Sequence, residues 1–174
     1  MMINLLTLII ISQNIVLNQA DPVETLLKAH FANLNHIECA YKQEKKISML
    51  NKPLISTGVF KYEKEGQIIW EQEMPFKETF LIKKTNKNII ERHINEFIIS
   101  IINGGILSNP KLEIHYSEDE ISYVVSINPK KKSIAKTLKK IILTFQKEKI
   151  KLNQLEIIAQ NGDINKITFL NKLE

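Results

Sequence analysis

Few side chains in this sequence are spaced for chemistry. The four histidines, His30, His36, His93 and His115, form no HExxH pair, and no two stand at the i, i+4 spacing that puts both on one metal. Glu91 and His93 would share a face if their segment were a strand, a weak pairing by itself. The lone Cys39 rules out an internal disulfide or a multi-cysteine metal site. It falls on the apolar side of an alternating run, where burial raises a thiol pKa and makes it a core residue rather than a nucleophile. No GxSxG, P-loop or GxGxxG occurs. Glu118-Asp119-Glu120 reads as a solvated hairpin turn. The densest charge is Lys130-Lys131-Lys132 with Lys136, Lys139 and Lys140, which reads as a short basic helix over 130–140. It is either a solvated face or a patch for an anionic partner, lipid headgroups or an acidic protein. No aromatics interleave with it, so nucleic-acid stacking is unsupported. The expectation is a protein with no catalytic residue, no metal and no cofactor, and therefore not an enzyme.

Composition agrees with a packed domain. Of 174 residues 44% are hydrophobic and 25% charged, which excludes disorder and disulfide-stapled miniproteins. The net charge is +5, carried by 23 lysines and a single arginine, Arg92. Lysine is a hydrated point charge, whereas phosphate and base recognition favours the arginine fork, so this excess reads as solvated surface. Thirty isoleucines and sixteen asparagines point to a coding bias as one source of the lysines.

Residues 1–20 carry no charge and are nearly continuously apolar up to Ile11, too short and interrupted to span a bilayer. They read as a secretory signal cut after Ala20, with a buried N-terminal helix as the other reading. Residues 21–174 then form one domain. Asp21-Pro22-Val23-Glu24 has the N-cap, first-turn proline and capping-box acid of a helix start. Val23, Leu26, Leu27, His30, Phe31 and Leu34 follow at helical spacing, and the helix should end near Asn35. From Ile37 the period becomes two, through Cys39 and Tyr41, Phe60 and Tyr62, Ile68 and Trp70, Phe80 and Ile82, with turns at Gly66 and at Asn86-Lys87-Asn88. A second, very apolar helix runs from Ile94 through Phe97, Ile98, Ile101 and Ile102 to Gly104-Gly105. More strands follow, and Asn161-Gly162 marks the last hairpin. Two apolar helices are few to cover roughly nine strands with one apolar face. Such a sheet either closes on itself or leaves a concave face that wants an apolar guest.

Several short motifs fall in a telling order: Tyr41-Lys42-Gln43, then Ser56-Thr57-Gly58-Val59-Phe60-Lys61-Tyr62, then Trp70 with Met74-Pro75 as a W-x(4)-P block. Ile127-Asn128-Pro129 and Asn161-Gly162-Asp163 with Ile167-Thr168-Phe169 complete it. Together they resemble the LolA-like periplasmic outer-membrane lipoprotein carrier family. The resemblance implies an α+β, mainly antiparallel fold: a strongly curved, half-open barrel with helices over its concave side. It implies a monomeric periplasmic carrier of lipoprotein or lipid acyl chains, loaded by an inner-membrane transporter and unloaded to an outer-membrane acceptor. By position, Phe60, Tyr62, Ile68, Trp70, Phe80 and Ile82 should line the cavity, and Phe97, Ile98, Ile101 and Ile102 should form the lid face. Lys64 stands where the family has a cavity arginine that helps hold the lid, so it is the expected latch, without the arginine fork. The chain ends soon after Phe169, more like the LolA-related subfamily associated with glycolipid or aryl-polyene export. Two rivals stand beside the carrier: an accessory protein docking its basic patch on an inner-membrane exporter, and an enzyme on a hydrophobic substrate using Glu91 or His93.

Overall fold

The computed structural model describes residues 21–64, 67–83 and 89–170. The expected signal segment and the turns at Gly66 and 86–88 lie outside them, as do the side chains of Glu91, His93 and Ile94.

Helix α1 (Pro22–Asn33) starts where the capping chemistry demands. The backbone N–H of Val23 donates to the Asp21 carboxylate at 2.8 Å, which satisfies one of the helix's orphan donors. Its apolar stripe buries Leu27 and Phe31. Four strands follow, β1 (His36–Lys46), β2 (Leu54–Glu63), β3 (Gln67–Met74) and β4 (Glu78–Lys83). Helix α2 (Ile89–Ile102) and a single turn of 3-10 helix (Gly105–Ser108) lead to β5 (Leu112–Glu118) and β6 (Ser122–Pro129). A one-turn helix, α3 (Lys132–Ala135), precedes β7 (Leu138–Gln146), β8 (Lys151–Ala159) and β9 (Ile164–Phe169).

All pairings are antiparallel, in the order β4-β3-β2-β1-β9-β8-β7-β6-β5. The β1–β9 pairing, with Tyr41 opposite Phe169, joins the two meanders into one nine-stranded sheet. Strands β4 and β5 remain as its two edges, so the sheet is an open half-barrel rather than a closed one. Sequence order places α2 between those same two edges. A connection from one edge of a curled sheet to the other must cross its hollow side, and that is how a helix comes to cover this one.

The two-residue period puts one side chain in two on the inner face. Cys39 and Tyr41, Phe60 and Tyr62, Ile141, Leu143 and Phe145, and Ile167 and Phe169 all meet there in one core. No polar or charged side chain is buried among the described residues. Two hydroxyls of these residues, those of Tyr41 on β1 and Tyr116 on β5, are enclosed without a hydrogen-bond partner. Tyr116 is the more strongly perturbed. Burial, and then the charges of Glu24 and Asp21, push its pKa up to about 12. Since an apolar side chain of the same shape removes that defect, Tyr116→Phe should raise unfolding stability by about 1 kcal/mol in a denaturant titration.

The lysine-rich segment departs from expectation. Only Lys132–Ala135 is helical, and Lys139 and Lys140 lie within β7. β7 pairs with both β6 and β8, and those two ladders override the local helix preference. Helix α2 begins at Ile89, so Glu91 and His93 sit in a helix, where residues two apart do not face one another. Among the described residues no three His, Cys, Asp or Glu side chains gather to hold a metal.

Candidate functional site

The inner face of the sheet is not filled everywhere by its own side chains. A cleft of about 700 Å³ lies between α2 and the sheet. Ile98, Ile101 and Ile102 form its helix wall, which follows from their i, i+3, i+4 spacing. Trp70, Phe80 and Ile82 line the β3–β4 side, and Leu155, Ile157 and Ile167 the β8–β9 side. Gln43, Gln72, Thr79 and Asn165 supply the polar part, toward the end of the sheet that carries the β1–β2, β3–β4 and β8–β9 connections. These amides partner one another: Gln43 Nε2 donates to Asn165 Oδ1 at 2.8 Å, and Ser56 Oγ donates to Gln43 Oε1 at 3.0 Å. Gln72 Nε2 donates to the Phe76 carbonyl at 3.0 Å. Gln43, Asn165 and Gln72 thus each have a partner within the protein. At that same end Met49 is 88% exposed, Phe76 78% and Met74 61%, so apolar side chains also surround the cleft's polar end.

The six cavity residues named from the sequence divide into two sets. Trp70, Phe80 and Ile82 border the cleft. Phe60, Tyr62 and Ile68 are 1%, 5% and 1% exposed and belong to the packed core. Trp70 explains much of that division. Its indole sits edge-on to Tyr41 at 4.9 Å and to Phe60 at 5.3 Å, and Phe60 packs on Phe169 at 5.5 Å. The indole therefore caps its neighbours and presents itself to the hollow. Of the four lid residues, Phe97 packs against the core without lining the cleft, while the other three line it.

Lys64 engages a different helix from the one expected. Its Nζ donates to the Ala32 carbonyl at 2.9 Å, and its backbone N–H donates to the Asn35 carbonyl at 2.9 Å. Both acceptors lie at the C-terminal end of α1, where a cation offsets the partial negative charge of unpaired carbonyls. Among the described residues, Lys64 thus caps the end of α1.

Cleft residues that the sequence reading did not place there are Leu81, Leu155, Ile157 and Ile167, with Gln43, Gln72, Thr79 and Asn165. Alternation in β8 and β9 puts Leu155, Ile157 and Ile167 on one face. Only the β1–β9 and β8–β9 registers bring that face opposite α2.

A second chamber, of about 410 Å³, lies toward the opposite end of the sheet. Phe31 of α1 and Leu34 just after it, Ile37 and Cys39 of β1, Phe145, Leu152 and Phe169 enclose it, and Ile102 borders both hollows. Burial pushes the Cys39 thiol pKa up, which leaves it protonated and poorly nucleophilic. His30 also lines this chamber, and burial holds its imidazole pKa below the ordinary 6.5. The unfolded chain therefore takes up this proton first as pH falls. Stability should be complete above pH 6.5 and decline below it, and His30→Gln should flatten that decline in denaturant titrations run at pH 7.5 and 5.

No protein-family profile and no curated protein sequence matches this chain. Solved structures do. A chain in the MucA/MucB complex of Pseudomonas aeruginosa superposes with a TM-score of 0.49 and 9% identity, over 86% of this chain and 55% of that one. This protein thus spans about half the length of the chain it matches there. A LolA superfamily protein from Nitrosomonas europaea gives a TM-score of 0.40 at 6% identity, over 85% and 91% of the two chains. A DUF1329 family protein from Desulfovibrio piger gives 0.37 at 8%, over 86% and 90%.

Proposed function

We propose that this protein is a non-enzymatic periplasmic carrier that takes the acyl chain of a lipoprotein or lipid between α2 and the sheet and shuttles it toward the outer membrane. The observation that carries this reading is the unfilled apolar cleft of about 700 Å³, within the roughly 300–1,000 Å³ of small-molecule sites. Its walls offer a hydrocarbon chain dispersion contacts and removal from water. At ~0.8 kcal/mol per buried CH₂, a C16 chain gains at most about 12 kcal/mol. Spontaneous release would then be slow, so unloading needs movement of α2 or an acceptor of greater affinity. The resemblance supplies the partners: an inner-membrane transporter as donor and an outer-membrane acceptor.

The test is to purify the protein from a periplasmic extract, extract it with organic solvent for mass spectrometry, and titrate the stripped protein with a fluorescent fatty acid. Copurifying acyl lipid and saturable fatty-acid binding are expected. Charge reversal at Lys130, Lys131 and Lys132 should leave that binding unchanged, because the cleft is formed elsewhere. Absence of both copurified lipid and fatty-acid binding refutes the carrier.

A further inference from the structure

We propose that the smaller chamber is a second binding site, for a single-chain amphiphile with an anionic head. This goes beyond the carrier reading, because the ligand and its subsite are separate from the α2 cleft.

Two sets of side chains shape the chamber. The rings of Phe31, Phe145 and Phe169, with Ile102 and Leu152, make an apolar interior of about 410 Å³. Phe31 and Phe145 hold one another edge to face at 5.7 Å, so this interior is built before any ligand arrives. Lys149, in the β7–β8 turn, and Lys151, the first residue of β8, border the same space. Between them Ile150 adopts φ 48, a left-handed conformation that a β-branched residue rarely takes. Its side chain is nonetheless packed against the core, which fixes the turn and with it both lysines.

The charge around the chamber favours an anion. Glu38 is its one acidic residue, and that carboxylate lies 3.9 Å from the Lys61 ammonium. His36 is engaged by Glu63 at 2.5 Å, and His30 is held neutral near pH 7 by burial. Lys149 has no ion-pair or hydrogen-bond partner among the described residues. An ammonium beside an aromatic-lined hollow suits a ligand with one hydrocarbon chain and one carboxylate or phosphate monoester.

The experiment is calorimetric titration of the full chain with dodecanoate, dodecyl phosphate and dodecanol. The first two share the proposed chemistry, and the tighter of them identifies the head. The double variant Lys149→Glu with Lys151→Glu should weaken the anionic ligands roughly tenfold or more and leave dodecanol within about twofold. Ile98→Asp, in the other cleft, should leave the chamber's anionic binding intact. Cys39 is the only thiol in the chain and lines this chamber, so a bound anionic ligand should slow its alkylation. Inorganic phosphate alone should not. Equal weakening of dodecanol, unchanged affinity in the double variant, or no slowing of Cys39 alkylation each overturns the proposal. Fatty-acid binding that is lost only in Ile98→Asp also overturns it, while leaving the carrier reading in place.

Discussion

Gly58→Ala should be among the most destabilising single substitutions in this protein, although it adds one methyl group. A Cβ at Gly58 would lie 1.8 Å from the Glu71 carbonyl oxygen and 2.8 Å from its carbon. Both atoms are backbone of β3, so no side chain can swing aside. Gly58 stands where the β2–β3 register shifts, between Thr57 and Gly58, and the missing side chain lets the two strands approach there. The methyl must push β3 away, and β3 carries Trp70 and Gln72 to the cleft. The expected loss is about 3 kcal/mol or more, or roughly 10 °C in Tm for a domain of this size. Gly162→Ala is the control. Its φ is +89, yet nothing lies within 4 Å of the added methyl. That variant should lose only the αL penalty of about 1–2 kcal/mol. Thermal melts of both proteins compare the two costs directly. Near-equal losses would mean that β2 and β3 are not in such close approach.

Ile98→Asp should abolish acyl-chain uptake by the cleft beneath α2 while leaving the empty protein folded. Ile98 is only half buried, on the helix wall of the cleft, so water reaches the new carboxylate when the cleft is empty. A hydrocarbon chain entering the cleft would strip that water away. Desolvating an unpaired carboxylate costs several kcal/mol, so affinity should fall by more than about a hundredfold. Ile98→Leu keeps both volume and polarity and should bind within severalfold of the parent. Fluorescent fatty-acid titration of the two variants, made in the Lys149→Glu, Lys151→Glu background so that the second chamber does not contribute, with circular dichroism to establish the fold, checks this. If the aspartate variant binds as the parent does, the ligand does not sit beneath α2.

Local signals in the sequence foretold the elements well. Asp21-Pro22 marked the start of α1, two-residue alternation marked the strands, and Asn161-Gly162 marked the last hairpin, because caps, turns and periodicity act over a few residues. The apolar run ending at Ile102 was legible as a helix, although α2 starts five residues before Ile94, at Ile89. The division between packed and cavity-facing side chains was not legible. Phe60 and Trp70 share the same alternation and pair directly across β2 and β3. One is sealed and the other borders the cleft, because the larger ring of Trp70 overlies Phe60 and Tyr41. The far wall at Leu155, Ile157 and Ile167 depends on β1 meeting β9 across more than a hundred residues, which no local pattern reports. Lys64 was misdirected for a related reason. Its position pointed to a latch, but the neighbour that the fold brings within reach is the end of α1. The lysine run at 130–140 looked helical until its second half was recruited as the strand between β6 and β8.

Trp70 is the only tryptophan in the chain and borders the cleft, so its emission reports on the space beneath α2. Titrating the protein with a fatty acid brominated along its chain places a heavy-atom quencher wherever the hydrocarbon goes. Saturable quenching near one equivalent, absent with the same acid in Ile98→Asp, is the outcome expected of a hydrocarbon held between α2 and the sheet. Trp70 emission that is unchanged at saturating acid would show that no chain enters there, and acyl-chain transport would have to be abandoned.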